Sequence, residues 1–414
     1  MTYSLSLDEF RSYAKQGNLI PLFREILADQ DTPVSAFAKI DHGPSAYLLE
    51  SIQGGEKWAR YSFLGSGSPR VIYEDRGDLC VKKNGRVRRI PSRGAPLDRL
   101  REILEGYRPV TVPELPRFVG GAVGYLGYDI VKTFEDLPSR RKDDLHLPQF
   151  AFLLTETLLI FDNVSQKIKV VANAQVKSES DRDIRAAYRD ATTRIEKMIA
   201  RIRRPLRRIQ PKHRRSPLRF TSNMNKADFE KMVARAQEYI KAGDIFQCVL
   251  SQRWETNLQA PPFQLYRALR VVNPSPYMYY LRIAGVELVG SSPEILVRCE
   301  DGLASLRPIA GTRRRGVTPE EDAELERRLL ADAKERAEHI MLVDLGRNDI
   351  GRVAERGSVR VESLMNVERY SHVMHIVSNV TGKLSKDKTV YDVLKACFPA
   401  GTVSGAPKIR AMEI

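Results

Sequence analysis

Phe398-Pro-Ala-Gly-Thr-Val-Ser-Gly-Ala-Pro-Lys408 is the stretch from which the rest of the chain is read. So much Gly, Pro and small hydroxyl residue within one run reads as a loop that can turn backbone and O–H groups toward a ligand. Three further islands precede it, in the order Pro308-Ile-Ala-Gly-Thr312, Glu335-Arg-Ala-Glu-His339 and Ser371-His-Val-Met-His375. Each is bland alone: a turn, a charged helix, a polar strand. Together they gather carboxylates, a Gly-Thr step, imidazoles and a hydroxyl loop between residues 308 and 408. That inventory suits a hard divalent cation and an anionic substrate, which is enzyme chemistry.

A chain of 414 residues can bury a large core and normally forms two or three domains. Its 42% hydrophobic and 29% charged residues are those of a soluble globular protein. No run of about 18 apolar residues occurs, and Met1-Thr-Tyr-Ser-Leu-Ser-Leu-Asp-Glu9 has neither a basic n-region nor an apolar h-region. A cytoplasmic protein without a membrane partner is expected. Cys80, Cys248, Cys299 and Cys397 form no CxxC pair, so reduced, mostly packed thiols are expected and no zinc site is legible.

The net charge of +15 suggests nucleic acid until it is located along the chain. Residues 201–219 hold nine Lys/Arg and no Asp or Glu, and so supply nine of the fifteen excess charges. Pro205, Pro211 and Pro217 argue against one continuous helix there. An exposed basic linker is the plain reading, a docking site for an acidic partner the sharper one, and nucleic acid is not expected.

That linker divides the chain into an N-terminal part, 1–200, and a C-terminal part, 220–414. In the first, Ala46–Ser51, Val71–Glu74, Leu79–Lys82, Phe150–Phe161 and Lys167–Ala172 read as strands and Asp181–Arg201 as a helix. The Gly-dense Arg117–Tyr128 lacks the basic or hydroxyl residue that would follow a phosphate cradle, so close backbone packing is favoured. In the second, Asn225–Gly243 reads as an amphipathic helix with Phe229, Met232, Val233 and Ala236 on one face. Phe246–Trp254, Met278–Ile283, Val286–Ser291 and Glu294–Arg298 read as strands, and Thr318–Leu345 as one long helix opened by Thr318-Pro-Glu-Glu321. Strands and helices mix without βαβ alternation, which predicts an α+β fold.

Several residues carry candidate chemistry, and each has a bland counterpart. Glu335 and Glu338 project from one helix face and could hold Mg²⁺ with waters and substrate oxygens; a solvated helix face has the same composition. Gly311-Thr312 could present N–H and O–H to a carboxylate, or form a plain tight turn. Glu294, between apolar strands, would be desolvated and its pKa raised, as suits a general acid; a salt-bridged turn is the alternative. His372 and His375 would face opposite sides of a strand, so at most one enters a site.

The four islands and their order resemble the chorismate-utilising enzymes, and within them the large (component I) subunits of anthranilate synthases. The resemblance runs from about Leu48 to Ile414, with Leu345-Gly-Arg-Asn-Asp-Ile-Gly351 and Val367–Ile376 among its most specific pieces. It implies two stacked, mainly antiparallel sheets with flanking helices. It implies Mg²⁺-dependent conversion of chorismate and ammonia to anthranilate and pyruvate, the first step of L-tryptophan biosynthesis. Ammonia would come from a glutamine amidotransferase (component II) subunit, since no Cys/His/Glu triad is legible here. By the same resemblance Glu294, His375 and Thr402 are catalytic, Gly311, Thr312 and Gln247 meet substrate, and Glu338 ligates metal with Glu335 as companion. His339 and His372 are then structural.

Ala310 and Gln247 discriminate within the family. Aminodeoxychorismate synthases resemble this chain but carry Lys at the place of Ala310, and isochorismate and salicylate synthases carry Lys at that of Gln247. A methyl group cannot attack a ring and Gln is no base, so ammonia addition fits best. Glu50, Ser51, Pro276, Tyr277 and Met278 resemble a feedback site for L-tryptophan, assisted by Arg60 or Ser62 near Trp58; interdomain packing is the bland reading. Family members continue past the point matching Ile414, bringing a Tyr, an Arg and a second metal-ligating Glu. The resemblance therefore also implies that residues 1–414 hold half of the metal site and are inactive alone, or form a tryptophan- or partner-binding fragment.

Overall fold

The computed structural model describes residues 2–52, 60–92, 96–138, 143–206, 217–370 and 372–414. Trp58, Ser371 and the centre of the basic segment, 207–216, lie outside them. Backbone packing divides the chain into two compact units: Met1–Ile130 with Asp143–His213 and Ala260–Ser292, and Val131–Lys142 with Arg214–Gln259 and Pro293–Ile414. The division expected at the basic segment differs from this, because 260–292 returns to the first unit. The reason is a strand pairing. Tyr277–Ile283 runs antiparallel to Ala46–Glu50, with Met278 opposite Glu50 and Arg282 opposite Ala46.

The first unit is built on a seven-stranded antiparallel sheet in the order Leu19–Leu27, Lys167–Gln175, Thr157–Asp162, Tyr61–Ser66, Ala46–Glu50, Tyr277–Ile283, Val286–Ser292. A five-stranded sheet joins Arg86–Ile90, Asp78–Lys83, Arg70–Asp75, Phe150–Thr155 and Gly121–Leu126. The apolar run expected as one strand over 150–161 is therefore two strands in two sheets, broken at Glu156. The apolar pattern continues through the break because both halves are buried. The helix Asp181–Ile202 buries Ile184, Ala187, Ala191, Ile195, Met198, Ile199 and Ile202, a helical stripe, and Ser180 caps it by accepting from the Asp183 N–H. In the Gly-dense strand a Cβ on Gly124 would lie 1.9 Å from the Ala151 carbonyl oxygen, the close backbone approach expected there.

The second unit centres on a five-stranded antiparallel sheet whose spine is Val373–Lys383. Ile309–Arg314 and Leu303–Leu306 pair successive parts of one edge and Arg360–Arg369 the other, with Arg298–Glu300 beyond. The single helix expected over 318–345 is two, Pro319–Ala331 and Ala333–Gly351. Asp332 breaks them: with φ −70° and ψ 112° it ends the first, and its carboxylate accepts the Lys334 and Glu335 N–H groups to start the second. Lys226–Ala242 is a helix between its caps Asn225 and Gly243, yet of the face predicted to be apolar only Ala236 is buried. The strand expected over 246–254 reduces to Gln247–Cys248 and Trp254–Glu255. The strand expected over 294–298 starts only at Arg298, which leaves Glu294 outside the ladder. Antiparallel sheets with interspersed helices make the fold α+β.

Candidate active site

Glu294 borders a small cavity between Leu296, Leu306, Pro308, Leu345 and Thr402. Burial among these apolar groups raises its carboxyl to about 7, and the hydrogen bond from Thr402 Oγ1 to Oε2, 3.2 Å, offsets part of that rise. A carboxyl poised there is a proton donor near neutrality. Thr402 lies on the 3₁₀ turn Gly401–Val403, held by Ser404 Oγ donating to Ala400 O at 2.9 Å. Lys408, which ends this stretch, is buried. Its Nζ meets Asp349 at 2.7 Å and the Cys397 carbonyl at 3.2 Å, so it holds the loop to the Ala333–Gly351 helix.

Gly311 and Thr312 do not form a tight turn. They lie within the strand Ile309–Arg314, where the register with Val373–Lys383 shifts between Ala310 and Thr312. Gly311 is the bulged residue, at φ +68°, a conformation that costs glycine little and other residues more. The bulge turns two acceptors onto one imidazole: His375 Nδ1 lies 3.1 Å from Gly311 O and 3.1 Å from Thr312 Oγ1. A carbonyl can only accept, so this bond assigns the proton to Nδ1 and leaves Nε2 as the basic nitrogen. Tyr370 meets the ring edge-on at 5.5 Å, a contact the sequence reading missed. Ala310 is buried, and no amine stands at that place. His372 is exposed rather than core.

The helix Ala333–Gly351 separates Glu335 from Glu338. Glu335 faces the bulge: a Cβ on Gly311 would lie 3.3 Å from Glu335 Oε2, and Arg313 approaches Glu335 at 3.6 Å. Glu338 instead lines a cavity of about 720 Å³ with Gln247, Met341, Leu345 and Ala406. The short pairing of Gln247–Cys248 with Gly405–Ala406 fixes Gln247 there, and its Oε1 is buried without a partner among the described residues. His339, one residue on, is fully buried with Nε2 2.6 Å from Ser378 Oγ, so it packs rather than ligates. Among the described residues no three His, Cys, Asp or Glu converge as a ready metal cage. Mg²⁺ needs only one or two carboxylates beside waters and substrate oxygens, and Glu338 on an open cavity fits that demand.

In the first unit the sheet brings Met278 beside Glu50, both buried. The Glu50 carboxylate accepts from Tyr266 Oη and from Arg270 Nε at 3.2 Å. Those two partners were missed, although Tyr266 and Arg270 stand four apart on the helix Pro262–Val272 and so share a face. Arg60 is committed to Asp162 at 2.9 Å, and Ser62 is buried.

The family of chorismate binding enzymes matches residues 58–414. Anthranilate synthase component 1 of Synechocystis sp. is 48% identical over 432 residues, covering 99% of this chain and 84% of that protein. Its counterpart in Acetivibrio thermocellus is 46% identical over 416 residues, covering 99% and 83%. Among solved structures, anthranilate synthase component I from Streptococcus pneumoniae superposes with a TM-score of 0.73 at 36% identity, over 94% of this chain and 82% of that one. The menaquinone-specific isochorismate synthase MenF of Escherichia coli, at 17% identity and a TM-score of 0.62 over 98% of this chain and 81% of its own, shares the fold.

Proposed function

The chain belongs to the chorismate-binding enzyme family, and on that premise we propose that it acts as the large subunit of an anthranilate synthase. Chorismate and ammonia would give anthranilate, pyruvate and water. The observation that carries this reading is Glu294, a half-buried carboxyl raised to about 7 and hydrogen-bonded to Thr402. In its protonated form it gives the proton that lets the ring 4-hydroxyl leave as water while ammonia bonds at C2. Elimination then breaks the ether bond, releases pyruvate and removes the C2 proton, for which His375 Nε2 is the available base. Thr312 and the Gly311 bulge hold that imidazole in one tautomer. Glu338 would hold Mg²⁺, with Glu335 as a positioning residue on the same helix, and the ion would supply positive charge for the substrate carboxylate. Gln247 offers an amide where a base would be needed to activate water, so it supports amination over hydration.

Ammonia is proposed to come from a glutamine amidotransferase partner. Glutamine hydrolysis by a cysteine needs an accessible thiolate. Burial raises the thiols of Cys80, Cys248 and Cys299, and pushes Cys397 up to about 12. The test is the product formed by the intact enzyme from chorismate, Mg²⁺ and ammonium. Anthranilate fluorescence is expected; isochorismate, salicylate or aminodeoxychorismate in its place would overturn the assignment.

Glu50, Ser51, Pro276, Tyr277 and Met278 are proposed to hold L-tryptophan as a feedback inhibitor. Their support is the strand pairing that sets Met278 beside Glu50. Ser51→Ala and Met278→Thr are each expected to raise the tryptophan concentration for half-inhibition by about tenfold, within the usual range of coupling energies. Uninhibited turnover should stay near wild type. Full sensitivity in both variants would return these residues to packing.

A further inference from the structure

A cavity of about 450 Å³ in the first unit is lined by Arg70, Tyr107, Glu156 and Asn173, and by an apolar wall that includes Leu19 and Pro109. That volume is within the range of small-ligand pockets. It owes nothing to the residues assigned above. The strand register puts it away from Glu50: along neighbouring strands Ala46 pairs with Ser66, and Leu49 with Phe63 and so with Ile160. Glu156 therefore lies beyond the Ala46 end of the sheet, and Glu50 at the other end.

The charges on this cavity do not cancel one another. Arg194 and Asp190 are spent. Arg194 pairs with Asp190 at 2.8 Å and donates to the carbonyls of Glu156 and Asn173 at 2.6 and 2.9 Å. Arg70 and Glu156 remain. Among the described residues the Arg70 guanidinium meets only the hydroxyl and ring of Tyr107. Among the described residues the Glu156 carboxylate also makes no hydrogen bond or ion pair, and it does not pair with Arg70. Glu156 also borders a second cavity, of about 250 Å³, but its charge acts on Tyr107, which lines only the larger one. Burial of Asn173, whose Nδ2 donates to Val119 O at 2.9 Å and Thr155 O at 3.2 Å, makes the floor rigid and polar.

A cation and an anion held apart across a half-apolar cavity match a ligand that carries both charges and an apolar body. We propose that this cavity binds a zwitterion of the α-amino acid class, its carboxylate on Arg70 and Tyr107, its ammonium on Glu156, and its side chain on the Leu19–Pro109 wall. The site is independent of the reaction proposed above.

Titration calorimetry of the intact protein with L-phenylalanine tests it. Binding is expected, and Arg70→Gln and Glu156→Gln should each weaken it at least about tenfold, the loss of one charge-assisted bond. On the unaltered protein, 3-phenylpropionate lacks the ammonium and phenethylamine lacks the carboxylate; each should bind at least about tenfold more weakly. These two arms hold even where a variant folds poorly. Ser51→Ala should leave L-phenylalanine binding unchanged, which separates this site from the one at Glu50. Three results would overturn the proposal: no binding of L-phenylalanine or L-leucine at about 10 mM, equal binding of a single-charge analogue, or weakening in only one charge variant.

Discussion

Glu294→Gln is expected to lower the rate of anthranilate formation by about 10²–10⁴-fold, the usual contribution of a positioned general acid. The substitution keeps the shape of the side chain and its contact with Thr402 but removes the proton. Burial is the larger influence on this carboxyl, raising it to about 7, with Thr402 opposing. The wild-type kcat/KM should therefore lose its acid-dependent component as pH rises through about 7. In the Gln variant that limb should be flat. The stability sign runs the same way. A folded-state pKa above the unfolded value means that the folded protein binds the extra proton, so stability falls as pH rises from the ordinary carboxylate range through about 7. Glu294→Gln should remove that slope from a thermal-denaturation series. An unchanged limb with full activity would take Glu294 out of the chemistry and leave it a packing residue.

What could be read in advance follows from the range of each interaction. Helix ends were legible because caps are local: Asn225, Gly243 and Thr318 stand where the structure puts them. Asp332 was not, since charged helical spacing continues unbroken on both sides and only the cap geometry divides it. Glu156 hid in the same way, inside an apolar run buried in two different sheets. Gly311-Thr312 has one composition for a turn and for a bulge; what decides is the register of a strand more than sixty residues away. The residue types at the site were legible because acid–base and metal chemistry draw on few side chains. Their partners were not: Tyr370 behind His375, Arg313 beside Glu335 and Arg270 on Glu50 all come through tertiary contacts.

Glu338→Ala is expected to cost about 10²–10³-fold in Mg²⁺-dependent turnover, because a hard cation would lose an anionic ligand worth several kcal/mol. The neighbouring acids show why this one is singled out. Asp344 lines the same cavity but is paired with Arg347 at 2.8 Å. Glu335 shares its charge with Arg313 at 3.6 Å and sits against the Gly311 bulge. Glu338 has no cation of its own among the described residues, and it faces the cavity that Gln247 also lines. A carboxylate left without a protein partner on a cavity wall is the one able to give its charge to a metal. Glu335→Ala should therefore cost less, about tenfold, as a positioning residue does. The discriminating readout is the Mg²⁺ concentration for half-maximal activity, with Mg²⁺-dependent thermal stabilisation measured alongside. Both should shift strongly in Glu338→Ala and weakly in Glu335→Ala. The reverse order would move the ligand to Glu335 and make Arg313 a residue that metal binding must displace.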